Sequence, residues 1–293
     1  ILYIFFGGLA SDFFHEKERE FPVFSGKRNK DLRKKGYQRE MLTILYEDKE
    51  IIVAVKPSGV ESQSSRGFSQ DMVSMLSRHL YTKLSTDWGK VSTNQCGMGK
   101  KDAVPYIGVI HRLDKPVSGV MVYAKTRKAA AVLSNQVKEG WMNKVYAAVI
   151  CGKPVDNVGN FVDYLRKEGK GNCSVIVDKS AEGAKRAELE YQVLGSCMVE
   201  DVAGREEILS LVEVHLLTGR HHQIRVQFAS RGMPLWGDNR YHPDFAQGRR
   251  RGSIALCGTK LSFMHPSRRE TMTFSTCPQD GAFAWFKPIL SQN

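Results

Sequence analysis

The sequence predicts an α+β fold in which a mixed, largely antiparallel sheet is flanked by helices and loops. Short apolar runs typical of strands outnumber the stretches with helical periodicity. Neighbouring strands at residues 187–194 and 209–217 also alternate apolar and polar side chains with period two. Such alternation is typical of antiparallel strands with one buried face, whereas strands of a doubly wound parallel sheet are apolar throughout.

The first part of the chain divides into an extension and a domain. Residues 26–39 are basic and nearly free of apolar side chains, which predicts a solvated linker or an arm that lies on phosphates. We therefore expect an N-terminal extension with a basic arm over residues 1–40 and a single domain over residues 41–293. The apolar start of the chain is too short to span a bilayer and lacks the basic residues of a signal peptide, so we expect no membrane partner.

The domain begins with a strand, a turn and a helix. Residues 51–55 form an apolar run that stops at Lys-Pro-Ser-Gly (56–59), which predicts a buried strand followed by a turn. Apolar residues at helical spacing predict a helix over residues 71–81. The polar, glycine-rich stretch 85–103 predicts a surface loop.

Later elements follow from apolar runs and helix ends. Residues 119–124 and 144–150 predict strands on either side of a helix that Thr126 caps and Gly140 ends. After the two alternating strands, residues 218–232 predict a helix that begins near Thr218 and ends before a proline.

Composition favours a polyanionic partner. The 293 residues carry 43 Lys and Arg against 31 Asp and Glu, a formal charge of +12. Such a charge favours nucleic acid or an anionic membrane surface. The six cysteines are scattered, with no CxxC pair and no histidine at a zinc spacing, which favours reduced thiols and a cytoplasmic location.

Three stretches carry side chains suited to chemistry. Asp114 lies between Arg112 and Lys115, which fits either a surface ion pair or a reactive carboxylate aimed at a polyanion. In the strand at 144–150, Lys144 and Tyr146 point to the same face of the sheet, although a tyrosine in a strand is also a common core residue.

The third stretch is Gly-Arg-His-His-Gln-Ile-Arg, residues 219–225. Paired histidines suggest a metal, but a metal site needs three or four ligands and no acid or thiol lies nearby in the sequence. On a helix, His221 and Arg225 would share a face, which favours phosphate binding over metal binding.

Together these stretches resemble the motifs of the RluA-type pseudouridine synthases, in that family's order. The matching blocks are KPSG (56–59), HRLDKPVSG (111–119), KVYAAV (144–149), GRHHQIRVQFASRGMPLWGDNRY (219–241) and ALCGTKLSFMHP (255–266). They extend roughly over residues 42–275. The chain departs from the family at Val117 and His221, where members usually have threonine.

The resemblance implies the pseudouridine synthase fold, with residues 41–293 as the catalytic domain. It implies that specific uridines in structured ribosomal or transfer RNA are isomerised to pseudouridine on a flipped-out nucleotide. The N1–C1′ bond breaks, the uracil turns over, and C5 bonds to C1′. This rearrangement needs no cofactor and no metal, and we expect a monomer whose partner is RNA.

The resemblance also assigns roles to residues. Asp114 would attack C1′ or abstract the C2′ proton, Arg225 would keep it ionised, and Tyr146 would stack on the uracil or remove the C5 proton. Arg112 would fill the gap left by the flipped base. The other substrate contacts that it implies are His111, Lys144, Arg220, His222 and Gln223.

Two other functions compete with this one. A non-catalytic RNA-binding protein on the same scaffold would keep the basic surface, but it would not need Asp114, Tyr146 and Arg225 together. A glycosidase or nucleosidase would position a water with a second carboxylate, and the Asp114 motif contains no second acid.

Overall fold

The computed structural model describes residues 4–5, 42–64, 71–88, 105–169, 172–200 and 204–291. The predicted basic arm, most of the predicted loop at 85–103 and the proposed boundary at residue 40 lie outside these residues.

The described residues form one sheet with helices packed on its faces. Its strands, in chain order, are β1 (Ile4–Phe5), β2 (Thr43–Glu47), β3 (Ile51–Lys56), β4 (Gly108–Val109), β5 (Ser118–Ala124), β6 (Asn143–Cys151), β7 (Val158–Lys167), β8 (Ser174–Ile176), β9 (Lys185–Glu200), β10 (Glu206–Leu216), β11 (Leu256–Met264) and β12 (Thr271–Ser275). The helices are α1 (Met72–Trp88), α2 (Arg127–Lys138), α3 (Gln223–Ala229), α4 (Pro243–Ala246), a 3₁₀ helix (Gly281–Phe286) and α5 (Lys287–Leu290).

The sheet is mixed but nearly all antiparallel, so the predicted α+β class is confirmed. Its main path runs β2-β3-β5-β11-β6-β10-β9-β7-β8, with β1, β4 and β12 paired beside it. The pair β5 and β11 is parallel, and the other described pairs are antiparallel. The parallel contact requires glycine at position 119, since a Cβ on Gly119 would lie 2.5 Å from the backbone nitrogen of Gly258. This close approach anchors the C-terminal end of the HRLDKPVSG block.

The core lies on both faces of the sheet. Alternate residues of β6 belong to different apolar clusters: Tyr146, Ala148 and Ile150 pack in the one that includes α1 and α3, while Ala147 and Val149 pack with the 3₁₀ helix. Helix α2 packs against Val120, Val122 and Ala124 of β5 in a third cluster. Tyr146 therefore lies on the same face as α3.

The predicted helix between Thr126 and Gly140 is confirmed. The Thr126 hydroxyl accepts a hydrogen bond from the backbone N–H of Ala129 at 3.1 Å, which satisfies a free donor of the first turn. Gly140 follows the last turn with a positive φ of 76°, a conformation that favours glycine.

Two predicted boundaries were wrong. Helix α1 continues to Trp88, so residues 85–88 are helical and not part of a loop. Helix α3 begins at Gln223 and not near Thr218. His222 adopts a left-handed conformation with φ 54°, and this breaks any helix that would include His221. The predicted shared face of His221 and Arg225 is therefore absent.

Candidate active site

The loop that carries Asp114 connects β4 to β5 and is held by the Lys-Pro-Ser-Gly turn. The Lys56 side chain is fully buried. Its ammonium donates to the carbonyls of Pro57 at 2.9 Å, Val60 at 2.6 Å and Lys115 at 3.1 Å. An ammonium can donate three hydrogen bonds, so Lys56 ties the turn after β3 to the residue that follows Asp114.

A second set of bonds fixes the other side of Asp114. The Ser62 hydroxyl donates to the carbonyl of Leu113 at 2.9 Å and accepts from the Leu113 N–H at 3.1 Å. Together with Lys56, this contact holds the backbone on both sides of Asp114 and so limits where its carboxylate can lie.

Arg225 joins Asp114 to a second, buried carboxylate. Its Nη1 donates to Asp114 Oδ2 at 3.1 Å. Its Nε and Nη2 donate to the two oxygens of Asp238, both at 2.7 Å, a paired geometry that favours arginine over lysine. Burial opposes the charge of Arg225, but the two carboxylates outweigh it and raise its pKa. Asp238 is fully buried, whereas the Asp114 side chain is 28% exposed. Asp238 thus fixes the guanidinium, and the guanidinium in turn holds the more exposed Asp114.

His222 is the other side chain beside Asp114. Its Nε2 lies 3.5 Å from Asp114 Oδ2, and its Nδ1 lies 3.0 Å from the hydroxyl of Tyr241. That hydroxyl accepts a hydrogen bond from the Ser174 N–H at 2.7 Å. Burial lowers the pKa of His222, so the imidazole is neutral at neutral pH. His221 stacks on His222 with ring centroids 3.8 Å apart, which makes the histidine pair a packed stack.

Tyr146 and Lys144 project from β6 into the same space. Burial raises the pKa of Tyr146, and the charge of Asp114 raises it further, so the phenol keeps its proton at neutral pH. Burial lowers the pKa of Lys144. Within the part of the chain that the structure describes, the Lys144 ammonium has no hydrogen-bond or ion-pair partner.

These side chains surround an open cleft with a volume of about 750 Å³, a size typical of sites for small molecules and nucleotides. All nine residues that the sequence indicated as site residues line it: Asp114, Tyr146, Arg225, Arg112, His111, Lys144, Arg220, His222 and Gln223. Its apolar wall includes Val117, Met142, Ile224 and Leu256.

The nine residues are not placed alike. Arg112 and Arg220 are exposed. Gln223 is buried and its amide is engaged within the protein, accepting from Thr218 Oγ1 at 2.8 Å and the Arg220 N–H at 3.0 Å while donating to the Glu188 carbonyl at 3.0 Å. Gln223 therefore shapes the 218–222 turn, and its contact with RNA stays a prediction.

One of the two ring nitrogens of His111 is shielded from solvent. Its Nδ1 is buried and has no hydrogen-bond partner among the described residues, while its Nε2 accepts from the Val122 N–H at 3.4 Å. Burial and the nearby charge of Lys144 lower the pKa of His111 to about 3.

The lowered pKa values of His111 and His222 predict that the folded protein loses stability in acid. Since His111 and His222 are neutral in the folded protein but titrate near pH 6.5 when unfolded, the unfolded chain binds more protons as the pH falls below 6.5. We expect the free energy of unfolding to be highest above pH 6.5 and to fall between pH 6.5 and 4, by up to about 1.4 kcal/mol per pH unit for each histidine. Urea denaturation across this range measures it. His111→Gln should reduce the slope, and an unchanged slope would contradict the assignment.

Sequence reasoning missed three residues of the site: Asp238, Tyr241 and Ser174. The first two lie in the Gly-Asp-Asn-Arg-Tyr segment (237–241) at the end of the block over residues 219–241. An acid and a tyrosine in the same block as Arg225 could have indicated them. Ser174 lies on β8, where the local sequence gives no sign of its contact with Tyr241.

Away from the cleft, Cys151, Glu207 and His242 bring three possible metal ligands within 4.8 Å of one another. Their existing partners favour a hydrogen-bonded cluster. Glu207 pairs with Arg250 at 2.7 Å, and His242 Nδ1 accepts from the Asp244 N–H at 3.2 Å, which places the proton of a neutral ring on Nε2. Burial, together with the charge of Glu207 and a hydrogen bond to it, raises the pKa of the Cys151 thiol.

Among the residues that the structure describes, no helix is both long enough and apolar enough to cross a membrane.

Comparisons with known proteins agree on one family. Residues 50–230 match the family described as RNA pseudouridylate synthase. The chain is 30% identical over 260 residues to "Ribosomal large subunit pseudouridine synthase D" of Zymomonas mobilis, covering 86% of this chain and 74% of that protein. It is 31% identical over 198 residues to "Ribosomal large subunit pseudouridine synthase C" of Rickettsia conorii, covering 68% of this chain but 55% of the relative's length.

A solved structure supports the fold. "Human RNA Pseudouridylate Synthase Domain Containing 1" superposes with a TM-score of 0.61 at 21% identity, covering 82% of this chain and 84% of that one. The family match extends over more than half of the chain, and both relatives named above are large-subunit pseudouridine synthases. This protein therefore belongs to the RluA type of RNA pseudouridylate synthases, the enzymes that isomerise uridine in RNA to pseudouridine.

Proposed function

We propose that this protein isomerises uridine in RNA in the cleft between β6 and α3, with Asp114 as the reacting carboxylate. The observation that carries the proposal is the 3.1 Å contact between Arg225 Nη1 and Asp114 Oδ2 at the wall of an open cleft. A guanidinium this close gives a charge-assisted hydrogen bond that orients the carboxylate. The remaining exposed part of Asp114 faces the space where a ribose would lie.

The reaction balances without an added group. In one route an Asp114 oxygen bonds to C1′ while the N1–C1′ bond breaks and its electron pair leaves with uracil. The uracil then rotates, C5 bonds to C1′, the carboxylate leaves, N1 gains a proton and C5 loses one. In the other route Asp114 removes the C2′ proton while the N1–C1′ bond breaks and its electron pair leaves with uracil. C5 then bonds to C1′ of the resulting glycal, Asp114 returns the proton to C2′, N1 gains a proton and C5 loses one. Both routes need an ionised carboxylate beside the ribose.

The last step requires an acceptor for the C5 proton, and Tyr146 lines the cleft with Asp114. Because its pKa is raised, phenolate is scarce at neutral pH. We infer that Tyr146 takes the C5 proton while passing its hydroxyl proton to the freed Asp114 carboxylate, so that the net charge of the pocket does not change.

We expect Tyr146→Phe to keep RNA binding within about threefold, because the ring that packs beside the uracil remains. Pseudouridine formation should fall by roughly 10²–10⁴-fold, the usual contribution of a positioned proton-transfer group. Single-turnover conversion with saturating enzyme measures this. Conversion within about threefold of the unchanged enzyme would exclude a role for the hydroxyl.

The uridine must leave its stack to reach Asp114, which costs a few kcal/mol in a structured RNA. Arg112 is exposed, lines the cleft two residues before Asp114, and has no hydrogen bond or ion pair to another described residue. Its planar guanidinium is suited to stack in the gap left by the flipped base.

Arg112→Ala is therefore expected to slow modification of a structured RNA about tenfold or more, and that of a short unstructured oligonucleotide by less than about threefold. Parallel time courses on the two RNAs provide the measurement. Equal losses would show that Arg112 contributes only charge.

For the substrate we propose ribosomal RNA, because the names of two relatives refer to the large ribosomal subunit; transfer RNA is the other class that the motifs imply. We further propose a cytoplasmic monomer whose catalytic domain is residues 41–293. Incubation with ribosomal or transfer RNA, followed by carbodiimide mapping of pseudouridine and an assay for free uracil, tests the function. Binding without conversion would favour the non-catalytic alternative, and released uracil would favour a hydrolase.

A further inference from the structure

We propose that Trp141 is a stacking platform for a base of the RNA that lies next to the flipped uridine. The inference rests on the proposed function, since it names a second contact with the same substrate. Its starting point is an exposed aromatic residue: Trp141 is 65% exposed, although indole rings are usually well buried.

The backbone of Trp141 is fixed although its ring is exposed. Helix α2 ends with Gly140 at φ 76°, and the Trp141 N–H donates to the Gln136 carbonyl at 2.9 Å. This is the bond that closes a Schellman motif, in which the residue at this position commonly packs its side chain back onto the helix. Here the ring points into solvent instead, so a planar surface is presented from a rigid point at small entropic cost.

Trp141 lies beside the cleft and is not part of its lining. Its two chain neighbours, Gly140 and Met142, both line the cleft. Strand β6 begins two residues later and pairs with β10 up to Val145 and His215. The chains that extend from this end of the two strands carry Trp141 on one side and Leu217 on the other; Leu217 is 49% exposed and also lines the cleft.

The charges around this rim favour RNA as the occupant. Lys138 and Arg220 are exposed and line the cleft, and Lys144 on β6 lines it too. Exposed cations interleaved with an exposed aromatic ring are typical of grooves for single-stranded nucleic acid, where bases stack and phosphates pair. Stacking tolerates any base, so Trp141 contributes affinity for the flanking strand and not the choice of uridine.

The test compares two probes that carry the same charge: a twelve-residue oligouridylate and an abasic ribose-phosphate oligomer of the same length. Binding is measured by fluorescence anisotropy in an Asp114→Asn background, so that no reaction occurs. Trp141→Ala should weaken oligouridylate binding about tenfold and leave abasic binding within about twofold. Trp141→Phe should restore most of the affinity because the aromatic face remains.

Tyr81→Ala is the matched control, since Tyr81 is 61% exposed but, unlike Trp141, has no chain neighbour that lines the cleft, and it should not change either affinity. Three results would overturn the proposal: unchanged oligouridylate binding by Trp141→Ala, an equal loss on both probes, or dissociation of a dimer by this substitution in light scattering, which would assign Trp141 to a contact between chains. Absence of pseudouridine formation by the unchanged enzyme would refute the proposed function instead, and it is read in a separate assay.

Discussion

Replacing Arg225 with methionine is expected to abolish measurable pseudouridine formation and to lower the free energy of unfolding by about 3–5 kcal/mol. The arginine side chain is 2% exposed and is bound by Asp238, which is fully buried, and by Asp114. Methionine removes the charge that compensates both acids. Asp238 would then be buried without its partner, and Asp114 would lose the group that holds its carboxylate at the cleft.

A double variant separates the two effects. Arg225→Met with Asp238→Leu removes the buried charge as well as its partner, and replacing a buried pair by apolar residues is often close to neutral for stability. We expect the double variant to recover most of the lost stability in urea denaturation but none of the activity. A single variant as stable as the unchanged protein would show that the pair is not buried in solution, and an active double variant would show that Asp114 does not need Arg225.

The strands could be predicted because the apolar side chains that they bury follow one another in the local sequence. The run 51–55 is apolar, and it forms β3, which is paired with strands on both edges and packed in apolar clusters on both faces. The helix between Thr126 and Gly140 could likewise be predicted, since a hydroxyl at its start and a glycine at its end act within the helix itself. Such signals depend on residues that are close in the sequence.

The start of α3 could not be predicted from the same kind of signal. It depends on the Gln223 amide, which binds Thr218 and Arg220 within its own loop but also the Glu188 carbonyl on β9. That partner is 35 residues away in the sequence. The resulting turn places His222 in the left-handed region, and no local propensity of histidine predicts this.

The candidate site shows the same division. The order of motif blocks indicated Asp114, Tyr146 and Arg225, and the fold brings all three to one cleft. The partners that orient them come from elsewhere: Asp238 fixes the guanidinium, and Ser174 on β8 orients Tyr241 and His221. Serine is common in strands and turns of proteins with any function, so only the tertiary contact identifies Ser174 as part of the site.

Asp114→Asn is expected to have the largest effect on activity. Asparagine has nearly the same size and shape as aspartate, so the loop held by Lys56 and Ser62 should keep its fold. The amide has no negative charge, however, and is a very poor nucleophile and base. We therefore expect pseudouridine formation to fall by at least about 10⁴-fold, as when other enzymes lose their reacting group, while RNA binding stays within about threefold.

The most direct test of the role of Asp114 is carbodiimide mapping of the same RNA after single-turnover incubation with the unchanged protein and with Asp114→Asn, both at saturating concentration. We predict a pseudouridine signal at a defined uridine with the unchanged protein and none above background with the variant, although the variant still binds the RNA. Conversion that survives in the variant would show that a different group reacts at the ribose, and it would contradict the mechanism.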